Sequence, residues 1–285
     1  CHAAGQPVVP MGGLTGLVQG CVAGPGEIGL SLERMHRIEA IDRAGRTMLV
    51  EAGATLQAVQ EAAEREGLMF ALDLGARGSA TLGGNVATNA GGNRVIRYGM
   101  VRDMVLGLEA VLADGTVIPA LNRMLKNNAG YDLKQLFIGA EGTLGIVTAA
   151  VLKLFPLPRA RATALAALPD VAAAVRLLSD LRQALGDRLT GFELMSAYTI
   201  ALSRKHHPAL PDPCPGHPWY ALVQADDCAT DSPVAAQRER ARGAALENGP
   251  VLDATIAQSG EPAGALWALR EYIAKYSRQT GIKTT

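Results

Sequence analysis

The sequence predicts an α+β fold divided between two units, and three observations predict it. Hydrophobic residues make up 48% of the 285 residues but aromatics only 4%, so Ala, Val and Leu must fill the cores, as they do where strands and helices pack together. Short β-rich runs alternate with stretches of helical spacing along the chain. Glycine is dense before Pro156 and sparse after it, and the best linker candidate, Pro156–Ala162, falls at that change. The expected division is therefore 1–157 and 158–285.

Taken in order, Gln6–Pro10 reads as a short strand entering a glycine-rich loop, Met11–Gly20. Leu30–Leu32 and Ile38–Ile41 read as extended, and Arg43–Arg46 turns the chain into a strand over Thr47–Glu51. Thr55 is an N-cap for a helix over Leu56–Glu66, which Gly67 closes. Asp73–Tyr98 is expected as one long loop, a length usually kept for function. A hairpin follows, with strands Val105–Leu112 and Thr116–Ile118 around Asp114-Gly115, then a β-rich run over Gly145–Phe155. Beyond the linker the alanine-rich stretch reads as helix. Val171–Ala184, Ser232–Asn248 and Pro262–Gln279 are expected helices, and Gly191–Met195 and Trp219–Gln224 expected strands.

Composition bounds the partners. Lys plus Arg and Asp plus Glu number 27 each, which argues against nucleic acid and against a polybasic membrane surface. No run is long and apolar enough to span a bilayer, and no secretory leader is visible. The four cysteines form no CxxC pair, so reduced thiols in the cytoplasm are expected. The chain starts without Met and stops without a helix-ending signal, so both ends are expected to be cut.

Two glycine-rich segments carry the chemistry. In Val9–Gly20 the glycines at 12, 13, 16 and 20 allow close backbone approach, and successive N–H groups suit a pyrophosphate. In Leu72–Gly92, Leu74, Leu82 and Val86 should pin the segment to a core. Ser79, Thr81, Asn85, Thr88 and Asn89 offer uncharged hydrogen-bonding groups fitting a flavin dinucleotide, and Arg77, Arg94 and Arg97 are candidates to offset its diphosphate charge. Gly24–Gly29 formally matches GxGxxG, but Pro25 lies within it, Glu27 would face the phosphates, and β-like residues follow, so it is read as a decoy. His36 falls in an edge region. Cys214 and His217 have metal-pair spacing, but two ligands do not close a zinc site; with His206 and His207 they are expected in a solvated proline-rich loop.

Pro10–Gly20, Leu72–Gly99 and Asn127–Thr148 together resemble the FAD-binding (PCMH-type) domain of the vanillyl-alcohol oxidase superfamily. Within it the chain is similar to FAD-linked 2-hydroxyacid dehydrogenases, above all the D-2-hydroxyglutarate dehydrogenase branch. Gly191–Ser196 and Leu266–Glu271 are similar to that family's substrate domain, the FAD-linked oxidase C-terminal domain. The resemblance implies that Pro10, Gly12, Gly13, Leu14, Thr15, Gly16 and Leu17 line the pyrophosphate. It places Gly75, Gly78, Ser79, Thr81, Gly83, Gly84, Asn85, Thr88, Asn89 and Gly92 around the dinucleotide and its ring. Glu141, Gly142, Gly145, Ile146 and Val147 would meet the adenosine side or the ring. Relatives that tether the flavin use a histidine in the first loop; Leu14 and Thr15 stand there, implying non-covalent FAD. Many relatives carry asparagine in place of Leu14.

For the substrate, the resemblance implies Arg270 as a carboxylate clamp and Lys283 as a second cation, with Ala274 where the hydroxyglutarate branch has a hydroxyl. A catalytic base, and a divalent metal where one is used, would come from residues after Thr285. The implied reaction is hydride transfer from a D-2-hydroxyacid to flavin N5, with electrons passed to an electron-transfer flavoprotein or a quinone. A homodimer and an inner-membrane-peripheral position are compatible expectations. The alternatives are a D-lactate or glycolate dehydrogenase, an FAD-using ether-lipid synthase-type transferase, and a flavin-binding fragment without activity.

Overall fold

The computed structural model of the chain describes residues 1–229, 249–257 and 260–277. They fall into two compact units, Cys1–Leu157 and Pro158–Thr285. Each mixes strands with helices. The helix expected over 232–248, together with Gln279 and Lys283, lies outside the described residues.

The first unit is built on a five-stranded antiparallel sheet. Its strands are β3 (Ile38–Asp42), β4 (Thr47–Glu51), β6 (Val105–Val111), β7 (Val117–Ala120) and β8 (Ile146–Lys153), ordered β3-β4-β8-β6-β7. A separate parallel pair joins β1 (Val8–Met11) to β2 (Ile28–Ser31). Two-residue strands β5 (Leu68–Met69) and β9 (Phe155–Pro156) pair with each other. Helix α1 (Leu56–Arg65) starts where the Thr55 hydroxyl accepts the Ala58 N–H, and it buries Leu56, Val59, Ala62 and Ala63. These pack with Met48, Val50, Phe70, Leu82, Leu108 and Leu152 in one core.

The stretch expected as a single loop over Asp73–Tyr98 contains two short helices, α2 (Leu82–Ala87) and α3 (Val95–Tyr98). Thr81 caps α2 through its hydroxyl, and Leu82 and Val86, four apart, are buried on its core face. That spacing is helical, and the surrounding glycines hid it. Short helices α4 (Val101–Met104) and α5 (Lys134–Phe137) complete this unit.

Gly24–Gly29 is not a dinucleotide turn. The Glu27 carboxylate accepts the Gly24 N–H at 2.6 Å, and strand β2, not a helix, follows.

Glu51, buried at the end of β4, accepts from the Arg37 backbone N–H at 2.7 Å, from Nε at 3.0 Å and from Nη2 at 2.7 Å. The Arg37 side-chain hydrogen bond, above all, holds this carboxyl below its ordinary value. The unfolded value is the higher one. The contribution is therefore complete above about pH 4.5 and is lost as pH falls through the folded value. Arg37→Ala should flatten this acid limb, as urea midpoints measured between about pH 3 and 5 would show.

The second unit has a four-stranded antiparallel sheet ordered β11-β12-β10-β13. Its strands are β10 (Ala160–Leu168), β11 (Leu189–Ser196), β12 (Trp219–Asp227) and β13 (Asp253–Ala257). Helices α6 (Val171–Leu185), α7 (Ala197–His206) and α8 (Glu261–Ser277) accompany it. Here two expectations fail. The linker shrinks to 157–159, because Pro156 belongs to β9 and Ala160-Arg161-Ala162 opens β10. The alanine-rich stretch begins as a strand, since β10 pairs with β12 on one side and β13 on the other. Tertiary pairing overrides alanine's helical preference. Cys214 is also displaced from expectation. It is fully buried with Leu165, Leu222 and Leu269, and burial above all raises its thiol pKa.

Candidate functional site: a glycine-lined cleft

Three pieces of the first unit meet at one cleft of about 280 Å³. They are the loop leaving β1, helix α2 with its cap, and the turn entering β8. From the sequence-derived set, Pro10, Gly12, Gly13, Leu14, Thr15, Gly16, Thr81, Gly83, Gly84, Asn85, Thr88, Glu141, Gly142, Gly145, Ile146 and Val147 line it. Leu17, Gly75, Gly78, Ser79, Asn89 and Gly92 do not. Asn89 is occupied elsewhere: its side-chain oxygen accepts the Arg102 N–H at 3.1 Å. Sequence reasoning missed Met11, Val18, Gln19, Cys21, Leu32, Leu74, Ala87 and Ala90 as lining residues. Contiguity was the available signal, since Pro10–Cys21 lines the cleft at every position except Leu17.

Several glycines here are required by chain against chain. A Cβ on Gly13 would overlap the Ser79 carbonyl, and one on Gly83 would stand 2.7 Å from the Ala52 Cβ. A Cβ on Gly142, whose φ is +80°, would collide with the Pro10 ring. These contacts seat the first loop against α2 and the 141–147 turn against β1. Gly16, by contrast, has open space around it.

The cleft carries backbone strain. Leu14 (φ 53°), Gln19 (φ 62°) and Glu141 (φ 51°) are left-handed, a region non-glycine residues avoid. Such outliers gather at binding sites. Leu14 is 57% exposed, so little packing compensates it. Leu14→Asn should raise stability by about 0.5–1 kcal/mol, since asparagine tolerates this region better; urea unfolding without ligand checks it.

Charge is supplied in an unexpected way. Lys, Arg and His are absent from the lining. Arg77 and Arg94, expected to offset a diphosphate, instead pair with Asp73 at 3.3 and 3.2 Å. Arg97 lies over the Tyr98 ring. The lining's charged side chain is the Glu141 carboxylate, and among the described residues the N–H groups from Leu14 to Gly20 donate to no protein acceptor. A run of free N–H groups around one loop is an anion-binding concavity. Beside it, Asn85 is 5% exposed and its Nδ2 has no partner. A buried amide left unpaired costs about 1–3 kcal/mol, which a ligand acceptor would recover.

Residues 1–120 match the FAD binding domain family, and residues 157–284 match the C-terminal domain family of the FAD linked oxidases. The chain thus carries an FAD-binding domain followed by a C-terminal domain of the FAD-linked oxidase type. It is 40% identical over 283 residues to a probable mitochondrial D-2-hydroxyglutarate dehydrogenase of Oryza sativa subsp. indica, covering 99% of this chain and 50% of that protein. It is also 40% identical to the mitochondrial D-2-hydroxyglutarate dehydrogenase of Bos taurus, covering 99% and 51%. With the D-2-hydroxyglutarate dehydrogenase of Xanthomonas citri it shares 40% identity, covering 95% and 57%. The chain thus spans about half the length of these relatives. A solved alkyldihydroxyacetonephosphate synthase shares the fold, with TM-score 0.73 and 23% identity over 98% of this chain and 52% of that one.

The unpaired Asn85 amide and the unused N–H run both fit a dinucleotide. In the second unit Arg270, on α8, donates Nε to Glu193 on β11 at 3.0 Å. Lys283 lies outside the described residues, as does the Ala274 side chain. The histidines take structural contacts: His36 Nδ1 meets the Glu33 carbonyl at 2.9 Å and His207 stacks on Tyr272. Among the described residues no three His, Cys, Asp or Glu side chains gather as a metal site. No helix there is long and apolar enough to cross a membrane.

Proposed function

We propose that the cleft holds FAD non-covalently and that the chain serves the FAD-dependent oxidation of a D-2-hydroxyacid, such as D-2-hydroxyglutarate, to its 2-oxoacid. The observation that carries this is that one cleft is lined both by the loop Leu14–Gly20, whose N–H groups are unused, and by the unpaired Asn85 amide. Loop N–H groups would take the pyrophosphate, Asn85 and Thr88 the polar atoms of the ring system, and the 141–147 turn the adenosine side. With Leu14 and Thr15 where tethered relatives carry histidine, no side chain of that loop forms a bond to the cofactor. Bound FAD supplies a two-electron acceptor for hydride.

The chain's own part is to bind, orient and exclude. Arg270 would hold the substrate carboxylate by its guanidinium fork, which suits a planar anion. No His, Lys or Tyr lines the cleft, and by the family resemblance the group taking the hydroxyl proton would come from residues after Thr285. Reoxidation falls to a separate acceptor, an electron-transfer flavoprotein or a quinone. The free cysteines suit a reducing compartment, the cytoplasm by the sequence reading, although several relatives are named mitochondrial.

A substrate panel tests this on the complete protein. Without oxygen, D-2-hydroxyglutarate alone should bleach the flavin absorbance, and its L-enantiomer should not. Bleaching by D-lactate or glycolate in preference would reassign the acid. Flavin that no hydroxyacid reduces would remove the oxidative reading.

A further inference from the structure

Strand β11 presents an acid where its pattern calls for an apolar residue. Met195, two residues from Glu193 and so on the same side of the strand, is buried in the core beneath α8. Across the sheet Glu193 stands opposite Leu222, which is fully buried in the same core. The Glu193–Arg270 pair, with side chains 25% and 34% exposed, lies between surface and core. Apolar packing therefore does not account for the acid.

The pair's geometry does. Glu193 takes only the inner Nε of Arg270, at 3.0 Å. Among the described residues, the two terminal nitrogens of that guanidinium have no hydrogen bond or ion pair. The helix that carries Arg270 is fastened to the same sheet one turn earlier: Trp267 donates its indole N–H to the Gln224 side-chain oxygen at 2.8 Å. Gln224 in turn donates to Thr190 at 3.3 Å and to Asp226 at 3.2 Å, and Asp226 pairs with Arg161 at 3.0 Å. Arg270 is thus fixed at its helix and at its Nε, with its outer edge left as a two-donor fork. That is the arrangement that receives a carboxylate in bidentate fashion.

We propose that Glu193 is a positioning residue for carboxylate recognition: it orients Arg270 through Nε so that the terminal nitrogens stay free for the substrate's carboxylate. The proposal rests on the 2-hydroxyacid reading above. Glu193 touches Arg270 and not the reacting atoms, so its removal acts on substrate binding and leaves the FAD cleft, in the other unit, unaltered.

The test uses complete, flavin-loaded protein and anaerobic reduction by D-2-hydroxyglutarate. Glu193→Ala should raise the half-saturating concentration roughly tenfold while the limiting reduction rate and the flavin spectrum stay unchanged. Glu193→Gln keeps an acceptor for Nε at the same reach and should recover most of that loss. If Glu193→Ala misfolds, Glu193→Leu takes its place: it fills the position without an acceptor for Nε, and positioning predicts for it the same tenfold rise, with Glu193→Gln near normal. Tighter saturation in either Glu193 variant would overturn the proposal, since the carboxylate would then be a competitor for Arg270. So would unchanged saturation in a folded Glu193→Ala. Failure of the unmutated protein to be reduced by any 2-hydroxyacid would instead overturn the functional reading, and the positioning role with it.

Discussion

Asn85→Leu should move stability and cofactor binding in opposite directions. Its Nδ2 is buried without a partner in the unliganded cleft, and leucine of similar volume removes that unpaired donor. Unliganded protein should gain roughly 1 kcal/mol in urea unfolding, because deleting an unsatisfied buried group recovers desolvation. FAD affinity should fall about tenfold or more, the equivalent of one lost hydrogen bond. The divergence is what separates a binding group from a packing group. A residue kept only for the fold would lose stability on substitution, and one without a role would change neither quantity. Fluorescence titration with FAD beside urea unfolding of the same preparation decides it.

Gly13→Ala should weaken FAD binding about a hundredfold although Gly13 carries no side chain to contact anything. The added Cβ would overlap the Ser79 carbonyl, which is backbone and cannot swing aside. The first loop must lift from the segment before α2, carrying the free N–H groups of Leu14–Gly20 with it. Displacing positioned groups by about one ångström costs on the order of a hundredfold. Overpacking adds a stability loss of about 1–3 kcal/mol. Gly75→Ala is the control: that glycine has open space around it and lies outside the cleft lining, so affinity should hold. Equal FAD affinity in Gly13→Ala would mean that the loop's seating does not matter.

These two residues also mark how much was legible beforehand. The cleft was readable because its pieces are contiguous in sequence, and glycine with small polar residues at such density suits little besides a ligand cradle. Close approach to a ligand is only part of why Gly13 and Gly83 are glycines, since both are held by neighbouring backbone or alanine that only three dimensions bring together. Arg77 and Arg94 looked like phosphate partners because charge is visible in a sequence, whereas their capture by Asp73 is not. In the second unit, β10 was hidden by its alanines, because a strand buried between β12 and β13 shows no alternation. Cys214 read as a loop residue among prolines and is a core residue. Glu193 lies inside the family-like stretch Gly191–Ser196, but its meaning depends on the helix residue it meets, Arg270, far along the chain.

Whether this chain binds FAD without a covalent bond is the question on which everything else depends. Titrating folded, flavin-free protein with FAD should show saturable binding of one FAD per chain, and acid precipitation should then release all the flavin into the supernatant. Absence of saturable binding by folded protein, or flavin retained in the precipitate, would contradict it.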